Sequence, residues 1–441
     1  MRPSSSPSDA LLGAFFGVRR VDAEVSDQAL LRAMLDCERA LAEAGADAGL
    51  VPPDAASAIA DVCRTLEVDP SRLDQEAGNP VVPLVRVLGE RLPADARPWL
   101  HHGATSQDVL DTAMMLCVRR ALADPDDVAA ACAEQVRAHR HTLMPARTLG
   151  QQAGPTTFGL KAAGWLTGLV QARTRLSSAD LPVQLGGATG TLAALGDAGP
   201  AVAEGVARRL GLTVPTGPWH TNRQPVLALA SALAGMVVAC GKVSLDVTLL
   251  AQTEVGEVTE GGPGGSSALP HKQNPVRSVL VTAAARRVPG LVATLYAAGL
   301  HEHERATGSW HAEWEPLREL VRLTGSATAR TTELLRDLRV HPDRMRANLD
   351  LTGGLVMSES VAGRLAPSLG RTAAHELVAR LGRAATDSGT TLREQLVADP
   401  EVKRLLTEDD LDAALDPAGW LGSADTLIDS ALAMYEWSLH D

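Results

Sequence analysis

The chain has 441 residues and a formal net charge of −12. With no cluster of Lys or Arg in it, nucleic acid and anionic membrane surfaces are poor partners. Hydrophobic residues make up 45% and aromatics only 3%, with Ala and Leu dominant, a composition that suits closely packed helices over sheets or disorder.

In chain order, the apolar segment Leu11 to Val18 is too short for a membrane span and has no small-residue cleavage site. It reads as a docking segment, not a signal peptide. An amphipathic helix is expected from Asp27 to Ala44, with Leu30, Leu31, Met34, Leu35 and Leu41 on its apolar side and Gly45 as its stop. Pro-containing turns follow at Pro52-Pro53, Pro80 and Pro93. The text then reads as long helix after long helix. After Pro225, residues Val226, Leu229, Leu233, Met236, Cys240, Val243, Val247 and Leu250 recur at spacings of three and four. Such a seam belongs to a helix packed lengthwise on others, and is expected to be buried between subunits. A second long helix is expected from about Val276 to Leu300, interrupted or kinked at Pro289-Gly290. The scattered cysteines Cys37, Cys63, Cys117, Cys132 and Cys240 form no C-x-x-C pair and read as reduced thiols. The division is a helical domain over 1–107, a central long-helix domain over 108–350 and a helical domain over 351–441.

One stretch carries most of the chemistry: Gly261-Gly-Pro-Gly-Gly-Ser-Ser-Ala-Leu-Pro-His-Lys-Gln-Asn-Pro275. Its glycines permit close backbone approach. Ser266, Ser267, Lys272 and Asn274 stand just before an apolar helical run, whose N-terminus is expected to form an anion site beside them. The stretch resembles the signature loop of the fumarase/aspartase superfamily, G-S-S-x-x-P-x-K-x-N. Two further segments resemble the same superfamily in order and separation: Gly103-Ala-Thr-Ser-Gln-Asp108 and Arg147-Thr-Leu-Gly-Gln-Gln-Ala-Gly-Pro-Thr-Thr-Phe-Gly159. Within it the chain is similar to the 3-carboxy-cis,cis-muconate cycloisomerases, on Gly78-Asn-Pro-Val-Val-Pro83, Pro218-Trp-His-Thr221, His301-Glu-His-Glu-Arg305 and Trp310-His-Ala-Glu-Trp314. The likeness runs from about residue 10 to the C-terminus.

The resemblance implies an all-α, three-domain fold whose central long-helix bundle is completed by tetramerisation, with each site shared between subunits of a cytoplasmic enzyme. It implies Ser266 as the base that takes a proton beside a carboxylate. A serine can do so only where its alkoxide is stabilised by N–H donors and a cation. Lys272 and Asn274 would hold a substrate carboxylate, with Ser267 adding a donor. Thr105, Ser106 and Asn79 would line the ligand, as would Thr148 and Gln152. Arg223 and Arg305 are candidate carboxylate clamps, since guanidinium matches carboxylate bidentately. His220 and His311 are candidate polar lining. His301 and His303 point apart on a helix and no metal-binding spacing exists, so neither metal nor cofactor is expected.

The chain departs from the superfamily pattern in two places. Many relatives have a Thr-His pair where this chain has Thr148-Leu149, and no histidine occurs between Thr148 and Phe158. Where cycloisomerases tend to have Arg, it has Gln273, removing a positive charge beside a site for a tricarboxylate. Three readings follow. The first is a lyase that eliminates a good leaving group from a substituted succinate to give fumarate, for example nitrite from nitrosuccinate. The second is 3-carboxymuconate cycloisomerase activity in aromatic catabolism. The third, a non-catalytic reuse of the fold, is disfavoured by the presence of Ser266, Lys272 and Asn274.

Overall fold

The computed structural model describes residues 11–122, 127–262, 264–265, 269 and 271–440. The elements that carry the candidate site residues and their supports include, in chain order, α1 (Asp27–Asp47), α2 (Val81–Arg91), α3 (Ser106–Ala121), the strands β1 (Leu143–Thr148) and β2 (Gln151–Thr157), α4 (Phe158–Ser177), α5 (Gln224–Leu250), α6 (Val276–Ala298) and α7 (Ser309–Asp337). The expected all-α class is borne out, since among the described residues strands amount to two small antiparallel pairs.

By spatial proximity the chain forms two compact units. The first comprises residues 1–126, 172–241 and 280–329, and the second 127–171, 242–279 and 330–441. In the first, Ser26 starts α1 by accepting the Ala29 N–H at 3.1 Å. Leu31, Met34, Leu35 and Leu41 are buried as the period requires, and α1 packs on α3 and on the helices Pro53–Thr65 and Gly199–Leu210. Gly45 does not stop α1. It is buried inside the helix, where a Cβ would lie 2.7 Å from Val51 Cγ2, so it serves close packing. The turn falls to Gly49, which has φ +73°. In the second unit, the helices Ser358–Leu369 and Arg371–Ser388 bury Val361, Leu365, Leu377, Val378 and Leu381 against Leu392, Leu396, Val402 and Leu411.

Two further expectations needed correction. The third signature segment is a β-hairpin, not helix: β1 pairs with β2 in the register Leu143↔Thr157 to Thr148↔Gln151. The two-residue turn, with Leu149 at φ +50° and Gly150 at φ +79°, fits the twist of a tight hairpin. Next, the seam Val226–Leu250 on α5 is already buried inside one chain, each of its eight residues being 4% exposed or less. The opposite face of that helix carries Val238, Leu245 and Leu249, exposed at 55, 43 and 48%. The helix α6 is continuous through Pro289, so the chain is not interrupted there. Both α5 and α6 are long and apolar enough to cross a membrane by length and composition, with 56% and 28% of their most apolar windows buried. All five cysteines are buried thiols, and burial pushes the Cys63 and Cys117 thiols up to about 12.

Candidate active site

In the first unit, the Thr105–Asp108 segment opens α3. Thr105 is extended, and its N–H donates to Asp108 Oδ2 at 2.9 Å. The buried Asp108 carboxylate also accepts the N–H groups of Gly186 at 3.0 Å and Gly187 at 2.9 Å. His220 Nε2 lies 2.6 Å from its Oδ1. Asp108 thus ties the turn before α3 to the Gly186-Gly187 loop and fixes where Thr105 and Ser106 sit, both partly buried. His220 is therefore a buried partner of Asp108, not free lining.

Arg223, expected to clamp a ligand carboxylate, is spoken for within the fold. Its side chain is 1% exposed, and it donates to Asp111 Oδ2 at 2.8 Å and Oδ1 at 3.2 Å, to Glu313 Oε2 at 2.6 Å, and to the Trp219 carbonyl at 3.3 Å. Its Nε hydrogen is shared between both Glu313 oxygens at 3.1 Å. No donor is left for a ligand. Opposite charges on both sides keep this guanidinium protonated despite its burial.

Arg305 presents the opposite case. Its donors reach Gln107 Oε1 at 3.2 Å and the carbonyls of Gly187 at 3.3 Å and Ala188 at 3.0 Å. Among the described residues no carboxylate pairs with it. Neutral acceptors thus hold a partly buried cation in place without cancelling its charge, which suits it to bind a carboxylate. Gln107 aims it: its Nε2 donates to Asp111 Oδ2 at 3.1 Å and to the His220 carbonyl at 3.0 Å, leaving Oε1 for Arg305. Gln107, within the second signature segment, is thus the mount for Arg305.

Asn79 caps α2, its Oδ1 accepting the Val81 N–H at 3.1 Å. It also lines a cavity of about 340 Å³ with Leu30, Leu31, Met34, Leu110 and Met114. His311 is exposed, with Nε2 3.0 Å from the Gly78 carbonyl next door. A residue pair singled out by nothing in the sequence precedes the Thr105 segment: His101, at φ +58°, meets the fully buried Glu38 with Nδ1 2.6 Å from Oε1. Burial alone would lower the imidazole's pKa; the charge and hydrogen bond of Glu38 outweigh it and hold it above the usual range.

In the second unit, Thr148 is exposed at the end of β1 and Leu149 stands fully exposed, at 103%, at the hairpin tip. Arg147 and Gln152 are paired across the hairpin and so share a face. Arg147 forks onto the buried Glu257 at 2.8 and 2.6 Å. Asn348 also donates to Glu257, at 2.8 Å, and its carbonyl accepts Gln152 Nε2 at 3.0 Å.

The signature loop is pinched at its base. Gly265 bridges Gln273, and the Asn274 N–H donates to the Gly264 carbonyl at 2.7 Å. A Cβ on Gly264 would collide with the Asn274 backbone, so this glycine serves the loop's own closure. Lys272 is exposed and Asn274 partly buried. Ser266 and Ser267 lie outside the described residues. The expected anion site at the start of α6 is already filled: Glu260 accepts the N–H groups of Arg277 at 2.7 Å and Ser278 at 3.1 Å, and the Ser278 hydroxyl at 2.7 Å. The helix dipole there is neutralised by the protein's own carboxylate.

Comparison with known proteins places the chain in a lyase family. Residues 3–290 match a family described as lyase, and 354–431 match the adenylosuccinate lyase C-terminus. The chain is 48% identical to a nitrosuccinate lyase of Streptomyces davaonensis, over 93% of this chain and 92% of that protein. It is 44% identical to a 3-carboxy-cis,cis-muconate cycloisomerase of Pseudomonas aeruginosa, over 98% and 97%. The crystal structure of 3-carboxy-cis,cis-muconate lactonizing enzyme from Pseudomonas putida superposes with a TM-score of 0.91 at 40% identity, covering 97% of this chain and 99% of that one.

Proposed function

We propose, for a chain that belongs to the fumarase/aspartase superfamily of lyases, that it eliminates nitrite from nitrosuccinate to give fumarate. Ser266 takes the proton from the carbon beside one carboxylate. The C–H electron pair forms the new double bond, and the C–N bond breaks with its pair leaving on nitrite. Arg305, Thr105 and Ser106 hold one substrate carboxylate, and Lys272 and Asn274, with Ser267, the other. Thr148, Gln152 and Asn79 line the ligand. Arg223 takes no part in binding and braces Asp111, and through it Gln107, beneath Arg305.

The observation that carries this reading is the pairing of 48% identity to a nitrosuccinate lyase with a fully exposed leucine where an acid would be needed. An amine must be protonated before it leaves, whereas nitrite is already a stable anion. Its departure requires no histidine at Leu149. The cycloisomerase reading is the alternative, supported by 44% identity across 98% of the chain. The site is completed in a cytoplasmic homotetramer, its subunits packed through the exposed apolar face of α5 (Val238, Leu245, Leu249). Light scattering of the active enzyme is expected to give four subunits. An active monomer would refute shared sites.

The direct test supplies nitrosuccinate and 3-carboxymuconate separately to the purified enzyme. Equal amounts of fumarate and nitrite from the first, with no lactone from the second, is the expected result. Lactone formation without nitrite would make the alternative correct.

A further inference from the structure

Lys161 stands in the first turns of α4, directly after the hairpin that carries Thr148 and Gln152. It is partly buried, and among the described residues its ammonium has neither a hydrogen bond nor an ion pair. The charges that bear on it are Asp246, Lys242, Arg147 and Glu257. Both carboxylates are committed elsewhere. Asp246 accepts Trp165 Nε1 at 2.7 Å on one oxygen and Lys242 Nζ at 2.6 Å on the other. Glu257 is held bidentately by Arg147 and also by Asn348. Three cations therefore share two carboxylates, and the surplus positive charge resides on the one group that has no partner.

Desolvating an ammonium is costly unless something compensates it. Burial, partly offset by Asp246, already pushes the Lys161 pKa below the usual lysine value. A fold can relieve such a cost by pairing the lysine or replacing it; retaining it unpaired is the signature of a group whose partner arrives from outside.

We propose that Lys161 receives a carboxylate of the dicarboxylate substrate, as a binding residue in the part of the site carried by Thr148 and Gln152. This rests on the dicarboxylate reading given above, and adds a cation that the signature motifs do not contain. In the empty enzyme the charge is a burden; with substrate bound it becomes half of an ion pair.

The test uses Lys161→Met and Lys161→Arg in the full-length enzyme, with fumarate as the probe and calorimetry as the readout. Met keeps the aliphatic stem and removes the charge. Loss of one charged hydrogen bond is expected to weaken fumarate binding about 10- to 100-fold. The thermal midpoint should hold or rise, because an uncompensated charge has been removed. Arg is expected to recover part of the affinity. A lysine with a structural role would behave differently, lowering the midpoint on replacement, and that result would overturn the proposal. Fumarate affinity of Lys161→Met within twofold of wild type would overturn it too, as would a wild type that binds no fumarate. If the wild type turns over neither nitrosuccinate nor carboxymuconate yet binds fumarate through Lys161, the substrate reading fails and this inference stands.

Discussion

Two cationic regions of the molecule, one around Arg223 and one around Lys161, handle charge in opposite ways. Around Arg223, every donor is matched by Asp111, Glu313 and a carbonyl, all buried. Around Lys161, both nearby carboxylates are consumed by other groups and a cation is left over. The first arrangement is a brace and the second an invitation to an anion. Arg305 repeats the second pattern, held by neutral oxygens alone. The type of residue does not distinguish a brace from a binding group; whether its charge is already spent does.

The largest expected effect tests the base. Ser266→Ala is expected to lower kcat by about 10³-fold or more while leaving the thermal midpoint in place, since the substitution removes the base and only one hydroxyl group. Activity within tenfold of wild type would move the base elsewhere.

Next comes the contrast between the arginines. Glu313→Gln strips one carboxylate from the buried brace and is expected to cost about 3–5 kcal/mol of stability in denaturant titration. Arg305→Met removes a partly buried cation that, among the described residues, has no ion-pair partner. It is expected to change stability by less than about 0.5 kcal/mol but to raise KM roughly 10- to 100-fold. Equal stability losses in the two variants would erase the distinction.

A smaller effect concerns His101. Its folded pKa lies above the unfolded one, so the folded state holds the proton more tightly. The stability this pair contributes is complete below the unfolded histidine value and is lost as pH rises through the raised folded value. Denaturation midpoints measured across that window should fall in the wild type and lie flat in His101→Gln. A parallel decline in both would assign the pH effect to other groups.

The smallest effect is expected at the hairpin tip. Leu149→His supplies the histidine that many relatives carry and should change turnover of nitrosuccinate by less than about threefold, because nitrite needs no acid. A tenfold gain would show that departure of the leaving group is limiting and assisted.

The helical class, the family and the three signature segments were legible because long apolar periods and ordered motifs are local properties of the chain. The expectations that failed were those depending on neighbours distant in sequence. Gly45 resembles a helix stop until Val51 is seen packed against it. The start of α6 resembles an anion site until Glu260, seventeen residues from Arg277, is found capping it. Arg223 and Arg305 are indistinguishable in the sequence, since Asp111 and Glu313 lie 112 and 90 residues away from the first. The hairpin of β1 and β2 was missed because Leu149-Gly150 is a weak turn signal compared with Asn-Gly. His101 and Glu38 gave no signal at all, being joined only by a bond across 63 residues.

The central claim is that the leaving group departs without a protein acid, and one comparison addresses it directly: kcat/KM for nitrosuccinate and for aspartate, measured with the same wild-type preparation at one pH. The two substrates share the carbon skeleton and both carboxylates and differ only in the departing nitrogen. Unassisted departure predicts that nitrosuccinate exceeds aspartate by about 10³-fold or more, equivalent to ~4 kcal/mol of barrier. Aspartate turned over within tenfold of nitrosuccinate would contradict it, and would require an acid that neither Leu149 nor any residue between Thr148 and Phe158 provides.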